Sequence, residues 1–86
     1  MSQTPDEIIA QYRAALGAVE SEEVARRTKI AYRQGWYAIF KAYRAEQGTW
    51  YIFPPPLRLR GRQVLEQIAR MRTIAELRAN AKKDAP

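Results

Sequence analysis

Arginine is the side chain with the most chemistry to offer in this sequence. In the stretch IFPPPLRLRGR, residues 52–62, it alternates with leucine and then flanks a glycine. Arginine suits phosphate groups and narrow, electronegative DNA grooves, and neutralising phosphates releases counterions. The stretch can therefore be the working edge of a nucleic-acid-binding domain, although a linker or a docking peptide would also fit its prolines.

The other side chains offer little for catalysis. The chain contains no histidine, the usual general base near neutral pH, and no cysteine for a thiolate metal site or a disulfide. It also lacks a phosphate-binding glycine loop and the common nucleophile motifs. We therefore predict that the protein is not an enzyme and uses neither a metal nor another cofactor.

The same composition bears on the compartment. No apolar run approaches the roughly 20 residues that a membrane-spanning helix needs. The N-terminus is polar and acidic, unlike a signal peptide, and the lack of cysteine fits a reducing compartment. We expect a cytoplasmic protein without a membrane partner.

Charge is distributed unevenly along the 86 residues. Residues 1–25 carry a net charge of −4, whereas residues 26–86 carry +10. A basic body of this kind predicts a polyanionic partner, most often nucleic acid, and we take double-stranded DNA as the first expectation. A solvated basic surface without a partner is the competing interpretation.

Two helices are predicted at the ends of a single domain spanning 1–86. Thr4, Pro5 and Glu7 supply a cap, a first-turn proline and a capping box, so the first helix should cover 4–17. The last helix should cover 63–80, followed by a frayed tail over 81–86.

The middle of the chain allows two helical foldings. Tyr32, Trp36, Phe40 and Tyr43 recur at helical spacing, which predicts one aromatic face. Residues 21–47 would then form either one long helix or a helix-turn-helix broken near Lys29. In the second case Arg33, Tyr37, Lys41 and Arg44 are the residues that would face a major groove.

The proline-rich segment 49–62 is predicted to turn the chain and project a basic wing. Three prolines forbid a helix, and LRLR alternates as a strand should. We expect Gly61 to supply the positive φ of the wing turn. The predicted fold class is mainly α, a small winged helix-turn-helix with an extra N-terminal helix and a long C-terminal helix. The alternative is an all-α bundle with one long central helix and a proline-rich loop.

The segments over roughly 22–66 follow an order known from one family. They are Glu23-Val24-Ala25, Thr28-Lys29-Ile30, then IFPPP, LRL, RG and RQV. This order resembles the lambda-type excisionases and their AlpA-like relatives, which are winged helix-turn-helix DNA-binding proteins. The resemblance implies a recognition helix in the major groove, an arginine wing in the minor groove, and DNA bending by copies bound side by side. It also implies an integrase or other recombinase as a partner, or a role in regulating transcription.

Charge, the helix-turn-helix alternative and the resemblance together give one set of candidate DNA-binding residues. They are Arg26, Arg27, Lys29, Arg33, Tyr37, Lys41, Arg44, Arg58, Arg60 and Arg62.

Two other functions stay open at this point. A small helical adaptor or inhibitor could bind a protein through TWYIFPPP, with Trp50, Tyr51 and Phe53 as anchors. A basic RNA- or ribosome-associated protein could stack its aromatic residues on bases. The apolar face of the last helix could also pair two copies into a homodimer.

Overall fold

The first helix forms where its capping residues predict it. The computed structural model describes residues 3–52 and 56–84. Helix α1 spans Pro5–Val19, and the Thr4 hydroxyl accepts a hydrogen bond from the Glu7 amide at 3.2 Å. Ile8, Tyr12 and Leu16 form its buried stripe.

A short second helix, α2, spans Glu22–Arg27 and stops at a buried threonine. The Ser21 hydroxyl caps its start by accepting from the Val24 amide at 3.1 Å. Thr28 is 1% exposed; its hydroxyl donates to the Val24 carbonyl at 2.7 Å and accepts from the Ala42 amide at 3.1 Å. Arg13 of α1 donates to the carbonyl oxygens of Ala25 and Thr28. These bonds hold the C-terminal end of α2, whose carbonyls lack partners within the helix.

An antiparallel hairpin follows where a helix was expected. Strand β1, Lys29–Arg33, pairs with strand β2, Trp36–Phe40, in a register that sets Tyr32 opposite Tyr37. The two-residue connection has φ of 51° at Gln34 and 83° at Gly35. Positive φ at both positions is the type I′ geometry that fits the twist of a hairpin.

The prediction of a mainly α fold is therefore wrong, both as a winged helix-turn-helix and as an all-α bundle. The part of the chain described here combines three helices with five strands. The aromatic spacing that predicts a central helix over 21–47 does not distinguish a helix from a strand, because residues four apart share a face in both. Trp36 and Phe40 are such a pair, and both lie in β2.

The remaining strands complete two small sheets. Strands β3, Ala42–Arg44, and β4, Trp50–Ile52, form a separate antiparallel pair. Strand β5, Leu57–Arg60, pairs antiparallel with β2, so the larger sheet has the order β1–β2–β5.

The expected basic wing is also absent, because β5 passes directly into the last helix. Helix α3 spans Gly61–Asp84, a range that contains the expected 63–80 and four residues of the expected tail. The Arg60 amide donates to the Gln63 side-chain oxygen at 2.9 Å, half of a capping box. Gly61 is the first helical residue, and the residues with positive φ within 3–52 and 56–84 are Gln34, Gly35 and Gly48. Pro54 and Pro55 lie outside the described residues.

The core lies between the helices and one side of the larger sheet. Helices α1 and α3 run side by side in the same direction: Ile8 and Leu65 line one groove, and Arg78 donates to the Val19 carbonyl at 2.6 Å near the other end. The buried residues that join helices and strands include Tyr37, Ile39, Leu59, Val64 and Ile68. Among the described helices, none combines the length and apolar character required to cross a membrane.

Candidate nucleic-acid interface

The side of the three-stranded sheet opposite the helices carries a set of basic, aromatic and small side chains. Because side chains alternate along a strand, the residues that pair across the strands share a face. Tyr37, Ile39 and Leu59 point to the core, so their neighbours point away from it. We call this second face the open face; its residues are Lys29, Ala31, Arg33, Trp36, Ala38, Phe40, Arg58 and Arg60.

The eight residues of the open face carry positive charges and no negative ones. Four of them are cations, Lys29, Arg33, Arg58 and Arg60, and none is an acid. None of the four makes an ion pair with a residue that the structure describes. All four side chains are exposed. Four unpaired cations across about 10 Å of sheet repel one another, and an anionic partner would relieve that repulsion.

The centre of the open face is a shallow depression. Its floor is made by Ala31 and Ala38, and Trp36 and Phe40 stand on either side of Ala38 along β2. Arg33 and Arg58 border it from the two outer strands. The small side chains allow a ligand to approach the sheet backbone, and the aromatic walls offer apolar contact.

One cation of the open face is held in place. The Arg60 guanidinium carbon lies 4.0 Å from the centre of the Trp36 ring, a cation–π distance. The backbone amide of Arg60 is also bound to Gln63, at the start of α3. Arg60 therefore presents its charge from a fixed position, although Trp36 remains 43% exposed.

Four other candidate residues form a second group away from the open face, and three of them are paired with acids. Arg27 donates to Glu23 at 3.1 Å and lies 4.8 Å above the Trp50 ring, and Arg26 is 3.6 Å from the same carboxylate. Lys41 is 3.0 Å from Glu20. The fourth, Arg44, is exposed at the end of β3. Because acids neutralise part of its positive charge, this group should attract phosphate less strongly than the open face does.

The last two candidates are separated from both groups. Tyr37 is only 3% exposed and lies in the core, 4.9 Å from the Tyr32 ring, so its side chain is not on the open face. Burial raises the pKa of Tyr37 above its usual value near 10, and the neighbouring Tyr32 adds to this. Arg62 lies in the first turn of α3, 3.5 Å from Glu66.

Two of the three residues proposed for protein binding, Trp50 and Tyr51, lie in β4, which forms the second hairpin with β3. Trp50 is half-buried and packs against the core. Tyr51 is 45% exposed, and its ring stacks on Tyr43 at 5.7 Å between ring centres. Phe53 lies outside the described residues.

No metal-binding cluster of three or more acidic, histidine or cysteine residues occurs in residues 3–52 and 56–84.

Sequence reasoning missed the apolar part of the open face. The spacing of Trp36 and Phe40 predicts one face of a helix, and Ala31 is expected at the break of a helix-turn-helix, so neither interpretation identifies the alanine floor. The available signal was Gln34-Gly35, a pair with turn character between two runs rich in aromatic and branched residues.

No protein-family model matches the chain, and no curated protein or solved structure is similar enough to it to count as a match.

Proposed function

We propose that this protein binds double-stranded DNA through the open face of its three-stranded sheet. The observation that supports this most is the gathering of Lys29, Arg33, Arg58 and Arg60 on the one sheet face that the helices leave uncovered. Cations interleaved with aromatic and small residues suit a surface that meets phosphates at its edges and bases at its centre.

The dimensions of the sheet favour the major groove. Neighbouring strands are about 4.8 Å apart, so β1 and β5 lie about 10 Å from each other. The major groove is about 12 Å wide and accepts a β-ribbon as well as a helix. With β2 over the base edges, Lys29 and Arg33 of β1 and Arg60 of β5 would lie towards the two phosphate backbones.

This mode of binding differs from that of a winged helix. The segment expected to provide the recognition helix forms β1, β2 and β3, and the segment expected to provide the wing forms β5 and the start of α3. The strands therefore replace the helix as the element in the groove. The helices take the structural role, because they bury the other side of the sheet.

The charge of the open face sets the expected salt dependence. If Lys29, Arg33 and Arg60 contact phosphates, the logarithm of the affinity should fall with the logarithm of salt concentration with a slope of about −2.7. Between about 50 and 200 mM salt this predicts an affinity loss of about fortyfold.

The test compares two double variants that remove the same charge. Lys29→Gln with Arg33→Gln changes the open face, whereas Arg70→Gln with Lys82→Gln changes exposed positions on α3. Fluorescence anisotropy with a mixed-sequence duplex should give a slope lower by about 1.8 for the first pair and a much smaller change for the second. Equal effects of the two pairs would show that only net charge matters. Failure of the wild type to bind the duplex at low salt, or tighter binding to single-stranded RNA, would refute the proposal.

A protein partner at the second hairpin is the other function with a specific observation behind it. Tyr43, Tyr51 and Ile52 are 38%, 45% and 39% exposed on two adjacent strands. Aromatic side chains grouped in this way are typical of interface anchors. Binding of a protein that is lost in Tyr51→Ala, with DNA binding unchanged, would favour this function.

A further inference from the structure

We infer that the open face reads sequence, with Arg58 recognising guanine and the alanine floor recognising the methyl group of thymine. This inference rests on the proposed function and adds the base preference of the same site. It follows from the register of the sheet, from the different constraints on Arg58 and Arg60, and from the shape of the depression.

The register places these groups in one row across the strands. Ala38 pairs with Ala31 on one side and with Arg58 on the other. The row crosses the centre of the sheet, between Trp36 and Phe40 on β2. A base edge entering the depression would thus meet two methyl groups and, about 5 Å further on, the start of an arginine side chain.

Arg58 is the arginine that pairs with Ala38 in the central row and, unlike Arg60, is free to contact a base. Arg60 is stacked on Trp36 at 4.0 Å, which directs its guanidinium along the sheet. Arg58 is exposed, borders the depression, and makes no ion pair or ring contact with a described residue. A guanidinium can donate two parallel hydrogen bonds to O6 and N7 of guanine, the commonest specific contact in the major groove.

The floor of the depression favours a small apolar group. Trp36 and Phe40 are four residues apart, so their backbones are about 13 Å apart along the strand, and Ala38 leaves the space between them open. The group that projects from a base edge into the major groove and matches alanine is the C5-methyl of thymine. Cytosine offers no such methyl group, and adenine presents a polar amino group instead.

The spacing of the two contacts predicts how the bases are arranged. Arg58 begins about 5 Å from Ala38 and about 10 Å from Ala31, measured across the strands and therefore across the groove. These distances separate groups side by side over the base edges, not along the stack, where bases are about 3.4 Å apart. The preferred site should therefore contain guanine and thymine in neighbouring base pairs.

The experiment uses the full chain and chemically altered duplexes. The reference probe is a short duplex with alternating guanine and thymine on one strand. One derivative carries deoxyuridine in place of thymine and so lacks the methyl groups. The other carries 7-deazaguanine and so lacks the N7 acceptor. Each change should weaken wild-type binding, by about tenfold or more for the guanine contact.

Two variants assign these losses to residues. Arg58→Met keeps an unbranched side chain but has no hydrogen-bond donor, so it should bind the reference and 7-deazaguanine duplexes equally well and still respond to deoxyuridine. Ala38→Val fills the depression with a residue suited to strands, so it should bind the thymine and deoxyuridine duplexes equally well. Arg70→Met, an exposed position on α3, should respond to each altered duplex as the wild type does.

The outcomes separate this inference from the proposed function. Salt-dependent binding that is the same on all three duplexes would overturn base reading and leave the proposed function standing. No binding to any duplex would overturn both. A response to 7-deazaguanine that persists in Arg58→Met would assign guanine recognition to another residue and overturn the role of Arg58.

Discussion

Thr28 links helix α2 to the second hairpin, and replacing its hydroxyl tests whether that link stabilises the fold. The hydroxyl bridges the Val24 carbonyl, at 2.7 Å, and the Ala42 amide, at 3.1 Å. Thr28→Val has nearly the same shape and removes both hydrogen bonds. In this variant the Val24 carbonyl still accepts a hydrogen bond from the Thr28 backbone amide, which lies at 3.0 Å. The Ala42 amide therefore is the group that loses its partner.

The expected cost follows from burial. Thr28 and Ala42 are 1% and 2% exposed, so no water can replace the hydroxyl at the Ala42 amide. A buried donor left without an acceptor costs about 1–3 kcal/mol. A chain of this size has a total stability of about 4–13 kcal/mol. A loss of stability of about 2 kcal/mol, in the middle of that range for the buried donor, corresponds to a fall in Tm of about 8–16 °C.

The matched control is Thr28→Ser, which keeps the hydroxyl and removes one methyl group. Burial of that methyl is worth about 0.8 kcal/mol, so the serine variant should be more stable than the valine variant. Thermal and urea unfolding give the free energies, and hydrogen exchange of the Ala42 amide reports the bond itself. The reasoning is refuted if Thr28→Val is as stable as Thr28→Ser, or if the Ala42 amide exchanges equally slowly in both.

Three further predictions concern the turn, the pH range and the core. Gly35→Ala should destabilise the protein by about 1–2 kcal/mol because φ there is +83°, whereas Gln34→Asn should raise Tm since asparagine suits the first position of a type I′ turn. Burial raises the pKa of Tyr12, and Tyr43 and Glu20 add to this, so the neutral phenol favours the folded state. The contribution of Tyr12 to stability is therefore complete below about pH 10 and is lost as the pH rises above that value. Urea unfolding from pH 8 to 11 should show that loss, and Tyr12→Phe should reduce it. Ile68→Ala, at a position 2% exposed, should cost about 2–5 kcal/mol by chemical denaturation, whereas exposed Leu77→Ala should cost far less.

The starts of the first two helices can be predicted from the sequence because their capping residues act locally. Thr4 and Glu7 act within one turn of each other, and Ser21 caps α2 in the same way. These signals depend on neighbours three residues away, so the sequence alone contains them. The missed contacts are long-range: Arg13 reaches α2, and Arg78 reaches the end of α1.

Composition shows that the protein is basic and contains neither histidine nor cysteine, and local patterns predict the helices near both ends. Lys29, Arg33, Arg58 and Arg60 could be named as candidate contacts because the charge of a residue follows from its type. That these four lie on one face follows from the fold, because it depends on β5 pairing with β2 across the intervening hairpin. The fold also determines the structure of the central region. Residues four apart share a face in a strand as well as in a helix, and burial of Tyr37 and Ile39 in the core that includes α1 and α3 stabilises the strand.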